Sequence, residues 1–138
     1  MVISARYTFS ALVLILLGTG STKKPHEKID LRTRIAAAKV SQYCHSPNAC
    51  FNPQIVVVEN GYFVTIFVRG KAQNSPVSTK ALGEYLTALP LSDWPLGPTI
   101  DISPSDDVMD SQAIQKNLDE ARRICRSLGL EVQFRPGG

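Results

Sequence analysis

Along most of this chain hydrophobic positions recur with a clear period, but its most apolar stretch does not alternate at all. Residues 54–68 read QIVVVENGYFVTIFV, two runs rich in Val, Ile, Phe and Tyr on either side of Asn60 and Gly61. Asn-Gly most readily takes the two positive φ values of a type I′ turn. The pattern therefore predicts a β-hairpin pairing Glu59 with Tyr62, Val58 with Phe63, Val57 with Val64, Val56 with Thr65 and Ile55 with Ile66. Residues 55–58 contain no polar position, the mark of strands central in a sheet and covered on both sides. A partner covering one face, or adding a strand at an edge, is the other reading of such a pattern.

Helical spacing frames the hairpin. Asp30 can cap a helix running to Tyr43, with Leu31, Ile35, Ala38 and Gln42 in one weak stripe and Ala36, Val40 and Tyr43 beside it. Residues 69–76 (RGKAQNSP) are predicted as a loop. A second helix over 78–89 takes Ser78 as its N-cap, a Val77–Leu82 staple, and Leu82, Tyr85, Leu86 and Leu89 as its buried face, and Pro90 stops it. Residues 91–98 (LSDWPLGP) are irregular, and 99–103 form a short strand. Ile114, Leu118, Ala121, Cys125 and Leu128 mark a third helix over 111–128, capped by Asp110 or Ser111. Gly129 then fits a Schellman ending and Leu130 its hydrophobic contact. Residues 130–134 (LEVQF) alternate as a strand with one covered face. The order α-ββ-α-β-α-β predicts an α+β domain over 29–136: a hairpin plus two further strands, with helices mainly on one face.

Composition narrows the class. The chain has 138 residues, 43% hydrophobic and 20% charged, which suits one globular domain with an ordinary core. A net charge of +3 does not point to nucleic acid. Its distribution is uneven, with 10 Lys/Arg against 3 Asp/Glu in residues 1–80 and 5 against 9 thereafter. A solvated basic face accounts for this, and a face toward an anionic surface is the alternative.

Residues 1–20 read as a signal peptide. Arg6 gives a positive start, ALVLILL (11–17) an apolar run, and Gly18 and Gly20 the small residues before a cut at Ser21. The apolar stretch, about ten residues, falls short of the roughly 20 that a membrane-spanning helix needs. No stable membrane anchor is therefore expected. STKKPHEK (21–28) is a linker. Export makes Cys44 and Cys50 a natural disulfide around HSPNA, while Cys125, on the stripe of the last helix, is expected as a buried thiol.

Recognisable chemistry is sparse. His26 and His45 have no partner at ligand spacing, so neither a metal nor another cofactor is expected, and there is no G-x-S-x-G elbow. Asp101, Asp106, Asp107 and Asp110 form the densest carboxylate group. Helix capping explains them, and an enzyme using them is the least favoured reading. The candidate partner contacts are His45 and Asn48 in the Cys44–Cys50 loop, Arg69 and Lys71 after the hairpin, and Trp94 between prolines. Trp94 has a second reading, as a lid on the core.

KALGEYLTAL (80–89), TIDISPSDDV (99–108) and NLDEARRICRSLGLEVQF (117–134), following the hairpin, resemble the periplasmic domain of the ExbD/TolR family, small partners of proton-driven motors in Gram-negative envelopes. The likeness spans residues 54–134. It implies a hairpin-α-β-α-β fold and a non-enzymatic domain that contacts peptidoglycan or another envelope protein. The family's transmembrane helix with its intramembrane Asp is not matched, since residues 1–20 contain no acidic residue. The motor role is therefore not implied. The Cys loop and the first helix also depart from the family. A small secreted inhibitor or immunity protein, with the Cys44–Cys50 loop as its plug, is the alternative.

Overall fold

Two hairpins in succession, not one, open the sheet. The computed structural model describes residues 30–44, 50–105 and 111–135; the predicted leader and linker lie outside them. Strand β1 (Gln54–Val58) pairs antiparallel with β2 (Gly61–Val68), which pairs antiparallel with β3 (Lys71–Val77). Strand β4 (Thr99–Pro104) joins β1 in parallel, and β5 (Glu131–Phe134) joins β4 in parallel. The sheet runs β3-β2-β1-β4-β5. The α+β class holds, with five strands where four were expected.

The predicted loop at 69–76 is therefore a correction: most of it is strand β3. Five of its seven residues, KAQNSPV, are exposed because it is an edge strand, so no apolar alternation announces it. Pro76, which lacks an N–H, is tolerated at an edge where it would break an interior ladder.

The first hairpin is also shifted. Val58 faces Gly61 and Val57 faces Tyr62, so the turn is made by Glu59 and Asn60. Neither turn residue has positive φ; Gly61 does, at 144°. A Cβ on Gly61 would stand 2.7 Å from the Val77 carbonyl oxygen of β3, so glycine serves the close approach of a third strand rather than the turn. The shift is two residues, which leaves every side chain on its expected face. The pair of left-handed residues occurs instead at Arg69 (φ 52°) and Gly70 (φ 76°), the turn between β2 and β3.

One face of the sheet is covered. Ile55, Val57, Tyr62, Val64, Ile100 and Ile102 point to it, each at most 1% exposed. Helices α1 (Leu31–Ala37), α2 (Leu82–Ala88) and α3 (Gln112–Ser127) pack there through Leu31, Ile35, Leu82, Leu86, Ile114, Leu118, Ala121 and Cys125. The opposite face carries Val56, Val58, Phe63 and Phe67, half-buried to exposed, with Phe63 at 42%. β1 and β2 are thus central in the sheet, as their composition predicts, but among the described residues no helix lies on their second face.

Local signals explain the helix ends. The Asp30 carboxylate accepts from Thr33 N at 2.8 Å, and hydrogen bonding from the Thr33 side chain, then from its backbone, holds its pKa below the usual range. The first helix stops at Ala37. Lys39 turns left-handed (φ 48°) and a 3-10 turn, Val40–Tyr43, follows. Ser78 does not cap α2; it opens a turn in which Ala81 N donates to its carbonyl, and the helix begins at Leu82. Ser111 caps α3 by accepting from Ile114 N. Its end is the expected Schellman motif, with Leu130 N donating to Cys125 O and Gly129 N to Arg126 O. Cys125 is fully buried, which pushes its thiol up to about 12.

Candidate functional site

Three loops meet at the end of the sheet where β1 and β4 begin. The first is the disulfide Cys44–Cys50, which fixes Tyr43 at the end of the 3-10 turn relative to Phe51 just before β1. The second is the Arg69-Gly70 turn. The third is the 3-10 turn Leu91–Asp93 with the residues that follow it. Together they enclose a cleft of about 430 Å³, with Tyr43, Phe51, Phe67, Arg69, Ser92 and Asp93 among its lining.

Asn52 builds the third wall. It is 8% exposed, and its amide donates to Gly97 O and Thr99 O, both at 2.8 Å, and to Thr99 Oγ1 at 3.0 Å. Its own oxygen accepts from Leu96 N at 2.9 Å. One side chain therefore satisfies the turning backbone between the 3-10 turn and β4, where no ladder partner exists. Residue patterning alone gives no sign of this role. Asn52 precedes a strand by two positions and reads as loop.

Aromatic rings line the cleft. Phe51 and Phe67 stack with centroids 4.7 Å apart and planes tilted by 35°. Phe51 is 43% exposed and Tyr43 42%. Two opposite charges, Asp93 and Arg69, also line it and form no ion pair with each other. Asp93 is half-buried, burial raises its carboxyl above the ordinary value, and no side-chain partner reaches it among the described residues. Arg69 is exposed at the hairpin tip and makes no ion pair among the described residues. Its left-handed backbone costs about 1–2 kcal/mol, which Gly would avoid.

The sequence-derived candidates divide accordingly. Cys44, Cys50 and Arg69 belong to this region. Lys71 starts the exposed edge strand beside it and is not part of the cleft lining. Trp94 is corrected: it is fully buried, so it serves as the core lid and presents nothing to a partner. Among the described residues its indole N–H has no hydrogen-bond partner. His45 and Asn48 lie outside the described residues, as do Asp106, Asp107 and Asp110. Asp101 pairs with Arg135 at 3.1 Å. Among the described residues no three His, Cys, Asp or Glu side chains stand close enough to hold a metal, and no helix is long and apolar enough to cross a membrane.

A second hollow, about 590 Å³, opens at the other end of the sheet between the β1–β2 turn and Ser105. Among the described residues its one charged lining side chain is Glu59, and its aromatic rings, Tyr62 and Phe63, do not stack on each other. The cleft of aromatic rings and unpaired charges is chemically the more specific of the two. Comparison with protein-family models, with curated proteins and with solved structures finds no match to this chain.

Proposed function

We propose that this chain is an exported, non-enzymatic binding domain of the bacterial envelope, contacting another envelope protein or peptidoglycan. The observation that carries the reading is the convergence of the disulfide, the Arg69 turn and the 91–98 loop on one aromatic cleft. Exposed rings held by a disulfide and by a buried amide suit recognition, because little freedom is left to lose on binding. Export rests on the leader-like residues 1–20 and on the disulfide. The envelope assignment draws on the likeness of residues 54–134 to the ExbD/TolR periplasmic domain, without the motor role. The reaction-bearing alternative has less support, since among the described residues the unpaired carboxylate of the cleft has no second acid, base or nucleophile besides Ser92 and Tyr43 in the lining.

Expression of the full chain with a C-terminal tag, followed by fractionation and affinity capture, tests this. The exported protein should begin at Ser21 and retain envelope proteins or cell-wall fragments. Phe51→Ala should lose that capture while keeping its fold. Retention of the chain in the cytoplasm, or capture indifferent to Phe51→Ala, would overturn the reading.

A further inference from the structure

We infer that the cleft is a receptor for a short zwitterionic peptide with apolar side chains, its free amine set against Asp93 and its free carboxylate against Arg69. The inference rests on the binding-domain reading and names the ligand class of that same cleft.

Size sets the first limit. About 430 Å³ lies in the lower part of the roughly 300–1,000 Å³ range of small-molecule sites, too small for a folded segment. Charge sets the second. An acid and a base line one cleft, yet neither neutralises the other and neither has another side-chain partner among the described residues. Three such pairs form elsewhere among the described residues, Arg135 with Asp101, Arg123 with Glu120 and Arg122 with Asp119; Asp93 differs from the other unpaired charges in being half-buried in a cleft that a cation also lines. A half-buried carboxylate without a cation is disfavoured by desolvation, and an ammonium supplies the missing charge. The guanidinium offers a planar fork that matches a carboxylate. A purely cationic ligand would leave Arg69 unused and repelled, and a purely anionic one would meet Asp93. A ligand carrying both charges answers both walls.

The same lining is largely aromatic. Phe51 and Tyr43 keep more than two-fifths of their surface exposed although they sit in a recess. An apolar side chain over the Phe51–Phe67 pair would bury that surface. The walls are fixed in advance by the Cys44–Cys50 disulfide, by the four hydrogen bonds of Asn52 and by the Arg69 turn.

The test uses the full chain and the dipeptide Leu-Phe, followed by isothermal titration and by NMR shifts of the Phe51 and Phe67 rings. The free dipeptide should bind saturably with a Kd near or below about 1 mM. Its N-acetyl form and its C-terminal amide should each bind at least about fivefold more weakly. In Asp93→Asn the N-acetyl form should no longer be at a disadvantage, and in Arg69→Gly the amide should no longer be. The capped ligands need no variant, so a misfolded mutant would not blunt the test. Equal binding of free and capped forms overturns the inference, as does an absence of saturable shifts at the two rings. If dipeptide binding fails while Phe51→Ala still abolishes envelope capture, the ligand class falls and the binding-domain reading stands. If the dipeptide binds as expected but the chain captures no envelope component, the ligand class stands and the envelope reading falls.

Discussion

Asn117 and Asn52 stand at opposite ends of the sheet, each 8% exposed and each bonded through its amide to backbone. Asn117 donates to Val58 O at 2.9 Å and Glu59 O at 3.0 Å, and its own carbonyl accepts from the Tyr62 hydroxyl at 2.8 Å. These bonds tie the β1–β2 turn to α3 and close the core. Asn52 ties a loop to the start of β1 and β4, and what it shapes is a recess with exposed rings. The same chemistry therefore does two jobs. Where the anchored backbone leads back into a hairpin, the result is scaffold; where it leads into loops, the result is a surface open to a ligand.

Breaking the two anchors should separate these roles. Asn52→Ala strands the Thr99 carbonyl and the Leu96 N–H and leaves Gly97 O with Thr99 N alone, so a loss of about 3 kcal/mol is expected from urea unfolding, together with loss of dipeptide binding. Asn117→Ala strands two carbonyls that retain second lone pairs, and about 2 kcal/mol is expected with binding unchanged. Equal effects of both variants on binding would erase the distinction. Tyr62→Phe removes one buried hydrogen bond and should cost about 1 kcal/mol, again without touching the cleft.

Alkali sharpens the same contrast. Burial pushes the Tyr62 phenol and the Cys125 thiol each up to about 12, from 10.0 and 9.0. Both are neutral when protonated, and the folded chain holds those protons more tightly than the unfolded chain. Their contribution is complete below about pH 9 and is lost as pH climbs toward 12. Melting temperature should fall across that window, and the fall should flatten in the double variant Tyr62→Phe, Cys125→Ala. The smallest effect is expected at the cleft itself. Arg69→Gly relieves a left-handed arginine and should gain up to about 1 kcal/mol while weakening the ligand, a trade that a purely structural turn would not show.

Much of this fold is legible in residue pattern. The α3 stripe, its Schellman ending at Gly129, the Asp30 cap and the buried face of α2 all follow from period and capping chemistry. The failures share a cause, which is that a third strand leaves no apolar trace. With β3 unseen, Asn60 and Gly61 look like a turn of their own. In the fold Gly61 serves the approach of Val77, and the two left-handed residues belong to Arg69 and Gly70. An arginine is not a residue that signals such a turn, so neither the strand nor the cleft beside it could be foreseen. The disulfide and Arg69 were accessible from composition and charge. Asn52, Phe51 and Asp93 were not, because their roles depend on loops distant in sequence meeting in space.

Pairing of β1 with β4 also has a consequence for the order in which the chain assembles. Strands β1 to β3 join by adjacent turns, and β4 to β5 by one helix, so each half is built from near neighbours. Within the sheet, the β1–β4 seam, Gln54 with Asp101 to Val57 with Pro104, is the pairing that joins them, and its partners lie far apart in sequence. Such distant pairing is the slow step expected of this topology, and the seam is the expected place for the sheet to part first. Phe51 and Arg69 lie on one side of that seam, and Asp93 precedes the strand on the other. A molecule held between them would act as a clasp, slowing the parting of the two halves, and protection of the β1 amides from hydrogen exchange would rise with its concentration.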